Sequence, residues 1–164
     1  MKYCVVVANG SRARFFSLEN PEFPEMESGP HLCERKAMVD PELKERGTNL
    51  WSGRTGKNRS GGYSGTHGYD DHRERHTAEY ERRFVQSVAE EAARFTRIQK
   101  ADHIVLVGVQ RQLPQLRSAL EPQTQAVRIR ELAKDLSKLA PQALHDHLSK
   151  EGLLPPRRPG DVAP

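Results

Sequence analysis

The side chains best suited to ligand chemistry are the cations set among glycines in residues 46–73. This stretch holds seven glycines and almost no aliphatic side chain beyond Leu50, so it cannot bury enough surface to offset the entropy of ordering. Adjacent glycines let a backbone approach a ligand closely, and the cations favour phosphate. The composition therefore predicts a flexible loop that orders on RNA. The candidate RNA-binding residues are Arg54, Lys57, Arg59, Gly61, Gly62, Arg73 and Arg75.

A pair of histidines in the same region suggests metal chemistry. His72 and His76 are four residues apart, so on a helix they share a face, and Asp70 or Asp71 could complete a ligand set. No HExxH or comparable motif supports such a site. Solvated histidines are the favoured alternative, and we predict no cofactor. An ordinary solvated loop is likewise the alternative for residues 46–73.

Motifs for nucleophilic or nucleotide-dependent catalysis are absent from the sequence. No GxSxG sequence occurs, and neither cysteine forms a recognisable catalytic signature with a histidine. The segment Gly53–Lys57 ends in Gly-Lys as a phosphate-binding Walker loop does, but Asn58 stands where that motif needs serine or threonine. These observations favour a binding protein over an enzyme.

The overall composition favours a single domain of 164 residues, 35% hydrophobic and 29% charged. The net charge of +4 permits an anionic partner without demanding one. Cys4 and Cys33 lie in apolar runs, so we expect buried, reduced thiols. No targeting segment is visible, and no apolar run approaches the roughly 20 residues of a membrane span. We expect a cytoplasmic protein with no membrane partner.

Apolar runs predict the strands that hold the loop in place. The expected strands are residues 2–8, 13–18, 31–39, 103–109 and 126–129. Asn9-Gly10 is a turn signal between the first two strands, which predicts a hairpin. Successive side chains of a strand point to opposite faces, so Arg12 and Arg14 are expected to share the outer, solvated face of the second strand.

An apolar stripe predicts a long helix over residues 74–99. The stripe consists of Tyr80, Phe84, Val88, Ala92 and Phe95. Shorter helices are predicted at residues 113–120 and 141–150. The order of elements is that of an α/β protein with a mixed sheet flanked by helices on both faces. We predict one domain over residues 1–152, interrupted by the loop at 46–73, and a disordered tail over residues 153–164.

Three stretches of the sequence resemble the bacterial host-attachment protein family. They are VVVANGSRARFFSLEN at residues 5–20, LWSGRTG at 50–56 and HIVLVGVQRQLPQLRSAL at 103–120. Their order and spacing carry the resemblance, which covers about residues 2–150. That family is similar to the central domain of archaeal and eukaryotic peptide-chain release factors. The resemblance therefore implies an RNase H-like α/β fold.

The resemblance also implies where a functional site would lie. In release factors a Gly-Gly-Gln tip lies on a basic loop just before a long helix, and Gly61, Gly62 and Tyr63 take the comparable place here. These three are the candidate catalytic residues, but tyrosine lacks the amide that helps to place the hydrolytic water. We therefore expect binding to the ribosome or to transfer RNA. The alternatives are a divergent peptidyl-tRNA hydrolase and a module that binds another protein or a second copy of this chain.

Overall fold

The predicted apolar runs form one sheet with the strand order β3-β2-β1-β4-β5. The computed structural model describes residues 1–41 and 67–158, with the backbone alone over residues 67–77. Its strands are β1 (Tyr3–Ala8), β2 (Arg12–Glu19), β3 (His31–Val39), β4 (His103–Gly108) and β5 (Arg128–Ala133). Its helices are α1 (His67–Gln99), α2 (Leu113–Leu120) and α3 (Pro141–Lys150).

The sheet is mixed, because its two halves are connected in different ways. A short turn joins β1 to β2, and these strands are antiparallel, with Val6 opposite Phe15. Strand β3 continues the antiparallel half. Helical crossovers lead to β4 and β5, so β1 runs parallel to β4, with Val6 opposite Leu106, and β4 runs parallel to β5. The predicted mixed α/β sheet is therefore confirmed.

The central strand β1 is apolar throughout because helices cover both faces of the sheet. Cys4 and Val6 belong to the core that includes α1 and α2. Val5 and Val7 belong to a second core, which includes α3 and the chain that follows it. Both faces of β4 are buried in the same way. This arrangement places α1 and α2 on one face of the sheet and α3 on the other.

Strand β5 lies further along the chain than residues 126–129, where the sequence pattern places it. It covers Arg128–Ala133 and is hydrogen-bonded on one side only, as the edge strand beside β4. Two of its charged residues contact other parts of the chain. Arg130 Nη1 donates to the Gly152 carbonyl at 3.1 Å, and Glu131 forms an ion pair with Arg117. An edge strand tolerates charges that a buried strand excludes, so apolar periodicity alone locates it poorly.

Helix α1 begins at His67, seven residues before the predicted start at residue 74. The last part of the predicted loop, residues 67–73, is therefore helical. The apolar stripe could not indicate this start, because its first buried side chain among the described residues of α1 is Phe84. Asp70 and Asp71 lie in the first turns, where the partial positive charge of a helix N-terminus favours carboxylates.

The packed domain also extends past residue 152, where the disordered tail was expected to begin. Leu153 and Leu154 are buried in the core beside α3. Beyond them, Arg158 exchanges two backbone hydrogen bonds with Gly29, at 2.8 and 2.9 Å. The prolines of this segment suggested disorder, but two leucines and one backbone bridge hold it against the domain. Residues 159–164 lie outside the described part of the chain.

Candidate functional site

The carboxyl ends of the parallel strands β1 and β4 lie side by side, with Ala8 opposite Gly108. The turn that follows β1 accepts a hydrogen bond from the end of β3, since the buried Asp40 donates its backbone N–H to the Ser11 carbonyl at 2.8 Å. The described chain before residue 42 therefore ends at this edge of the sheet. Ligands of open α/β sheets bind at the carboxyl ends of the strands.

The central residues of the predicted loop lie outside the described residues. These are Arg54, Lys57, Arg59, Gly61, Gly62 and Tyr63. Their contact with RNA stays a prediction. The structure shows the end of β3 before this segment and the start of α1 after it.

The remaining predicted site residues lie on the first turns of α1. At about 100° per residue, the positions of His72 and His76 differ by about 40° around the helix axis, whereas those of Arg73 and Arg75 differ by about 200°. The two histidines therefore share a face of α1 and the two arginines do not. Among the side chains that the structure describes, no three histidines, cysteines or carboxylates come together as a metal site would require.

The turn after β1 has the form that the Asn9-Gly10 signal predicts. Asn9 Oδ1 accepts the backbone N–H groups of Ser11 and Arg12, at 3.0 and 2.9 Å. Gly10, however, does not have a left-handed backbone. A Cβ atom here would lie 3.2 Å from Glu81 Oε1, which is a tight contact, and 3.5 Å from Arg111 Nη2, which is an ordinary one.

Four residues converge on this turn and form what we call the Gly10 cluster: Gly10, Glu81, Arg111 and Gln112. Glu81 on α1 pairs with Arg111 at 3.0 Å, and the Arg111 side chain is 70% exposed. Gln112 precedes α2 and is only 4% exposed. Neither its Oε1 nor its Nε2 has a hydrogen-bond partner within the described residues. A buried amide with no partner is uncommon in proteins and calls for an explanation.

A groove of about 740 Å³ lies on the other face of the sheet, beside the same turn. Its wall contains Arg14, which was predicted to be solvated. Instead, Arg14 covers the buried Phe16 ring at 4.8 Å and forms two hydrogen bonds to Glu34, at 2.8 and 2.9 Å. Its Nη1 donates to the carbonyls of Ser137 and Leu139, at 3.0 and 2.6 Å. At Arg14, the expected outer face of β2 is therefore covered by the chain between β5 and α3, while Arg12 is exposed.

A second contact ties this covering segment to the turn. Asn9 Nδ2 donates to Ser137 Oγ at 3.1 Å, and the Ser137 hydroxyl donates to Asp135 Oδ1 at 2.6 Å. This hydroxyl and the Ser137 backbone N–H hold the pKa of Asp135 below its usual range. Hydrogen bonds with Ser137 and with the backbone of Asp40 therefore fix the turn that the Gly10 cluster surrounds.

Comparison with known proteins identifies the family. The family model described as "Protein required for attachment to host cells" matches residues 4–148. The chain belongs to this family. The resemblance in the sequence is thereby confirmed for the host-attachment family, while the relationship to release factors stays a prediction.

The other comparisons inform the fold of this host-attachment protein. No curated protein matches its sequence. A chain in a cryo-EM structure of a CRISPR-Cas12f ternary complex is similar in fold, with a TM-score of 0.51 and 10% sequence identity. The match covers 98% of the host-attachment chain and 37% of the other chain. At that identity the similarity supports the α/β fold alone. In the described part of the chain, no helix is long and apolar enough to cross a membrane.

The Gly10 cluster makes a prediction about this host-attachment protein. Gly10→Ala should lower the free energy of unfolding by less than about 1 kcal/mol, because the new methyl group crowds Glu81 Oε1 at 3.2 Å while the loss of unfolded-chain entropy offsets part of this cost. In a Glu81→Ala background the carboxylate is gone, so the same substitution should cost much less. A double-mutant cycle by urea denaturation measures this coupling. Equal costs in both backgrounds would contradict the proposed crowding.

The Gly10 cluster was missed in the sequence because its members are far apart along the chain. The available signal was indirect: Asn9-Gly10 follows one predicted central strand, and Gln112 lies shortly after another. When two such strands are parallel neighbours in the sheet, the residues that follow them lie close together. The sequence did not indicate that β1 and β4 are neighbours.

Proposed function

We propose that this host-attachment protein is an RNA-binding module of translation that docks on ribosomal or transfer RNA through residues 46–73. The observation that carries this proposal is the set of cations among glycines in residues 46–73, which follow β3 in the sequence. Segments that lack a core of their own and are fixed at both ends bind extended, charged partners well. The resemblance to release factors supports a ribosomal location for that partner.

The cations of this segment favour nucleic acid because they are clustered, not because the whole chain carries a large net charge. Arg54, Lys57 and Arg59 lie within six residues, whereas the whole chain has a net charge of only +4. Each cation that neutralises a phosphate releases counterions, so binding weakens as salt is added. Loss of three such contacts should reduce the slope of log affinity against log salt by about 2 for single-stranded RNA.

The identity of residue 63 favours RNA binding over hydrolysis as the role of this segment. In release factors the tip sequence Gly-Gly-Gln supplies a glutamine amide, and Tyr63 follows Gly61 and Gly62 here. A phenol cannot place a water molecule as that amide does, whereas an aromatic ring stacks well on an unpaired base. The proposed role of the segment is therefore contact with RNA.

Sedimentation with ribosomes through a sucrose gradient at low salt tests the proposal. We expect the wild-type protein in the ribosomal fractions and the Arg54→Ala/Lys57→Ala/Arg59→Ala variant largely in the soluble fractions. The matched control removes the same charge at the opposite edge of the sheet, by Lys2→Ala/Lys100→Ala/Arg128→Ala. This control should sediment as the wild type does.

Two other outcomes would point to the alternatives. Release of peptide from stalled ribosomes, abolished by Gly62→Ala, would indicate a hydrolase. Wild-type protein that stays in the soluble fractions at low salt, with no effect of the triple substitution, would overturn RNA binding. A stable oligomer in light scattering would then favour the protein-interaction module.

A further inference from the structure

We propose that the groove beside the turn after β1 binds a small organic anion that has an apolar body. The groove has a volume of about 740 Å³, which lies within the range of about 300–1,000 Å³ that small-molecule sites occupy. Such binding does not require the proposed contact of residues 46–73 with RNA. Three features of the groove support it: an apolar strip, an excess of positive charge and one unused donor on Arg14.

An apolar strip of the sheet lines part of the groove. Ala37 and Val39 are two residues apart and lie on the same face of the edge strand β3, and both are exposed, Val39 by 46%. Leu139 and Ala140, in the chain before α3, also line the groove. Small-molecule sites are mostly apolar, with a few polar groups that fix the orientation of the ligand. The strip can therefore cover the apolar part of a ligand.

The groove also carries more positive than negative charge. Arg12, Arg14 and Lys138 line it, and Glu34 is the one carboxylate among its described residues. Both oxygens of Glu34 accept hydrogen bonds from Arg14, so these two charges neutralise each other. Arg12 and Lys138 are exposed, and neither forms an ion pair with another described residue. Lys138 acts on Asp135 only through space. Two cations without a paired carboxylate are therefore available to an anion.

Arg14 has one hydrogen-bond donor left. A guanidinium carries five N–H groups. Nε and Nη2 each donate to Glu34, and Nη1 donates to the carbonyls of Ser137 and Leu139. These four bonds fix the guanidinium and leave one N–H of Nη2 unused within the described residues, and 18% of the side chain stays exposed. The oxygen of a carboxylate, sulfonate or phosphate is the acceptor that suits this donor.

The three features together select the class of ligand. An inorganic anion would contact the cations and leave the apolar strip in water. A neutral apolar molecule would cover the strip and leave the cations unpaired. A molecule that joins an anionic head to an apolar body makes both kinds of contact, and the removal of apolar surface from water adds to the attraction between the charges. Carboxylates, sulfonates and phosphate esters share this chemistry, because the donor of Arg14 and the two cations recognise a charged oxygen.

A fluorescence titration with anilinonaphthalenesulfonate tests the proposal, and phenylnaphthylamine supplies the same rings without the sulfonate. We expect the sulfonate to bind more tightly than the neutral probe. Arg12→Gln/Lys138→Gln should weaken binding of the sulfonate about tenfold and that of the neutral probe much less, because two exposed charge contacts together correspond to about that factor. The matched control, Arg97→Gln/Lys100→Gln, removes the same charge at the exposed C-terminal end of α1 and should bind as the wild type does.

Amide chemical shifts in NMR spectra locate the bound probe, and the largest changes should be at Ala37, Val39 and Ala140. Ala37→Phe fills the groove and should abolish binding of both probes, whereas Ala133→Phe on the exposed edge strand β5 should not. Both variants should still unfold cooperatively in urea. The proposal would be overturned if the sulfonate does not bind, if the wild type and the first double variant bind it equally well, or if the shifts are confined to other residues.

Discussion

Arg14→Met should lower the free energy of unfolding by about 3 kcal/mol, because it removes the contacts that join β2, β3 and the chain before α3. The guanidinium makes four hydrogen bonds: two to Glu34 and one each to the carbonyls of Ser137 and Leu139. The Arg14 side chain is only 18% exposed, so water cannot fully replace these contacts. Urea denaturation followed by circular dichroism measures the loss.

The planar guanidinium group of Arg14 should stabilise the protein by its geometry as well as by its charge. Arg14→Lys keeps the cation but cannot bond both Glu34 oxygens and both carbonyls at once, so we expect a loss of about 2 kcal/mol. Arg12 provides the matched control, since it lies two residues away on the same face of β2 and is exposed. Arg12→Lys should change stability by less than about 0.5 kcal/mol. Similar losses at both positions would contradict the role given to Arg14.

The pH dependence of stability should also report the pair of Arg14 and Glu34. Hydrogen bonds from Arg14 hold the pKa of Glu34 below its ordinary value of 4.5. The unfolded chain therefore takes up this proton first as the pH falls, and the stabilisation by the pair is lost below about pH 4.5. The difference in stability between wild type and Arg14→Met should be full at pH 7 and shrink in that acid range. A difference that does not change between pH 7 and pH 3 would contradict the pairing.

Alkaline pH should destabilise the protein through Cys4, by about 2 kcal/mol between pH 9 and pH 11. Burial, assisted by the negative charge of Glu19, raises the pKa of the Cys4 thiol from 9.0 to about 12. Above pH 9 the thiol of the unfolded chain ionises while the folded thiol stays protonated. The unfolded state therefore gains stability as the pH rises, and the free energy of unfolding falls.

Comparison with Cys4→Ala isolates this effect from the tyrosines and lysines that titrate in the same range. The variant is less stable at pH 7, since it leaves a small cavity in the core, but its stability should fall less steeply above pH 9. Cys33→Ala, which leaves Cys4 in place, should keep the steep fall of the wild type. In the native protein at pH 8, a thiol reagent should modify the half-buried Cys33 and spare Cys4. Parallel slopes for Cys4→Ala and wild type would show that this thiol is not the cause.

The sequence by itself determined the elements that lie in the core. Continuous apolar runs located β1 and β4 to within a residue, because both faces of these strands are buried and exclude charge. Helices α2 and α3 have the predicted bounds, since apolar side chains at helical spacing and a proline in the first turn set both of them. The mixed sheet followed from the order of these elements.

The sequence was least informative where polar residues form regular structure. The sequence of the first turns of α1 contains no apolar stripe that could mark their start, and β5 is an edge strand with charges. Prolines after Leu154 suggested disorder in a segment that a backbone bridge to Gly29 holds in place. For β5 and for the segment after Leu154, the stabilising contacts come from distant parts of the chain, which local periodicity does not report.

The candidate site also has one part that the sequence predicts and one part that only the structure shows. Its basic, glycine-rich segment is a property of composition, so the sequence alone predicts a candidate ligand-binding stretch between β3 and α1. The position of the end of β3, beside the turn after β1, is shown only by the tertiary structure. The structure also brought Gly10, Glu81 and Gln112 together, from three elements up to about 100 residues apart. Such a cluster depends on which strands are neighbours, and pairing between distant strands leaves no trace in the local pattern of residues.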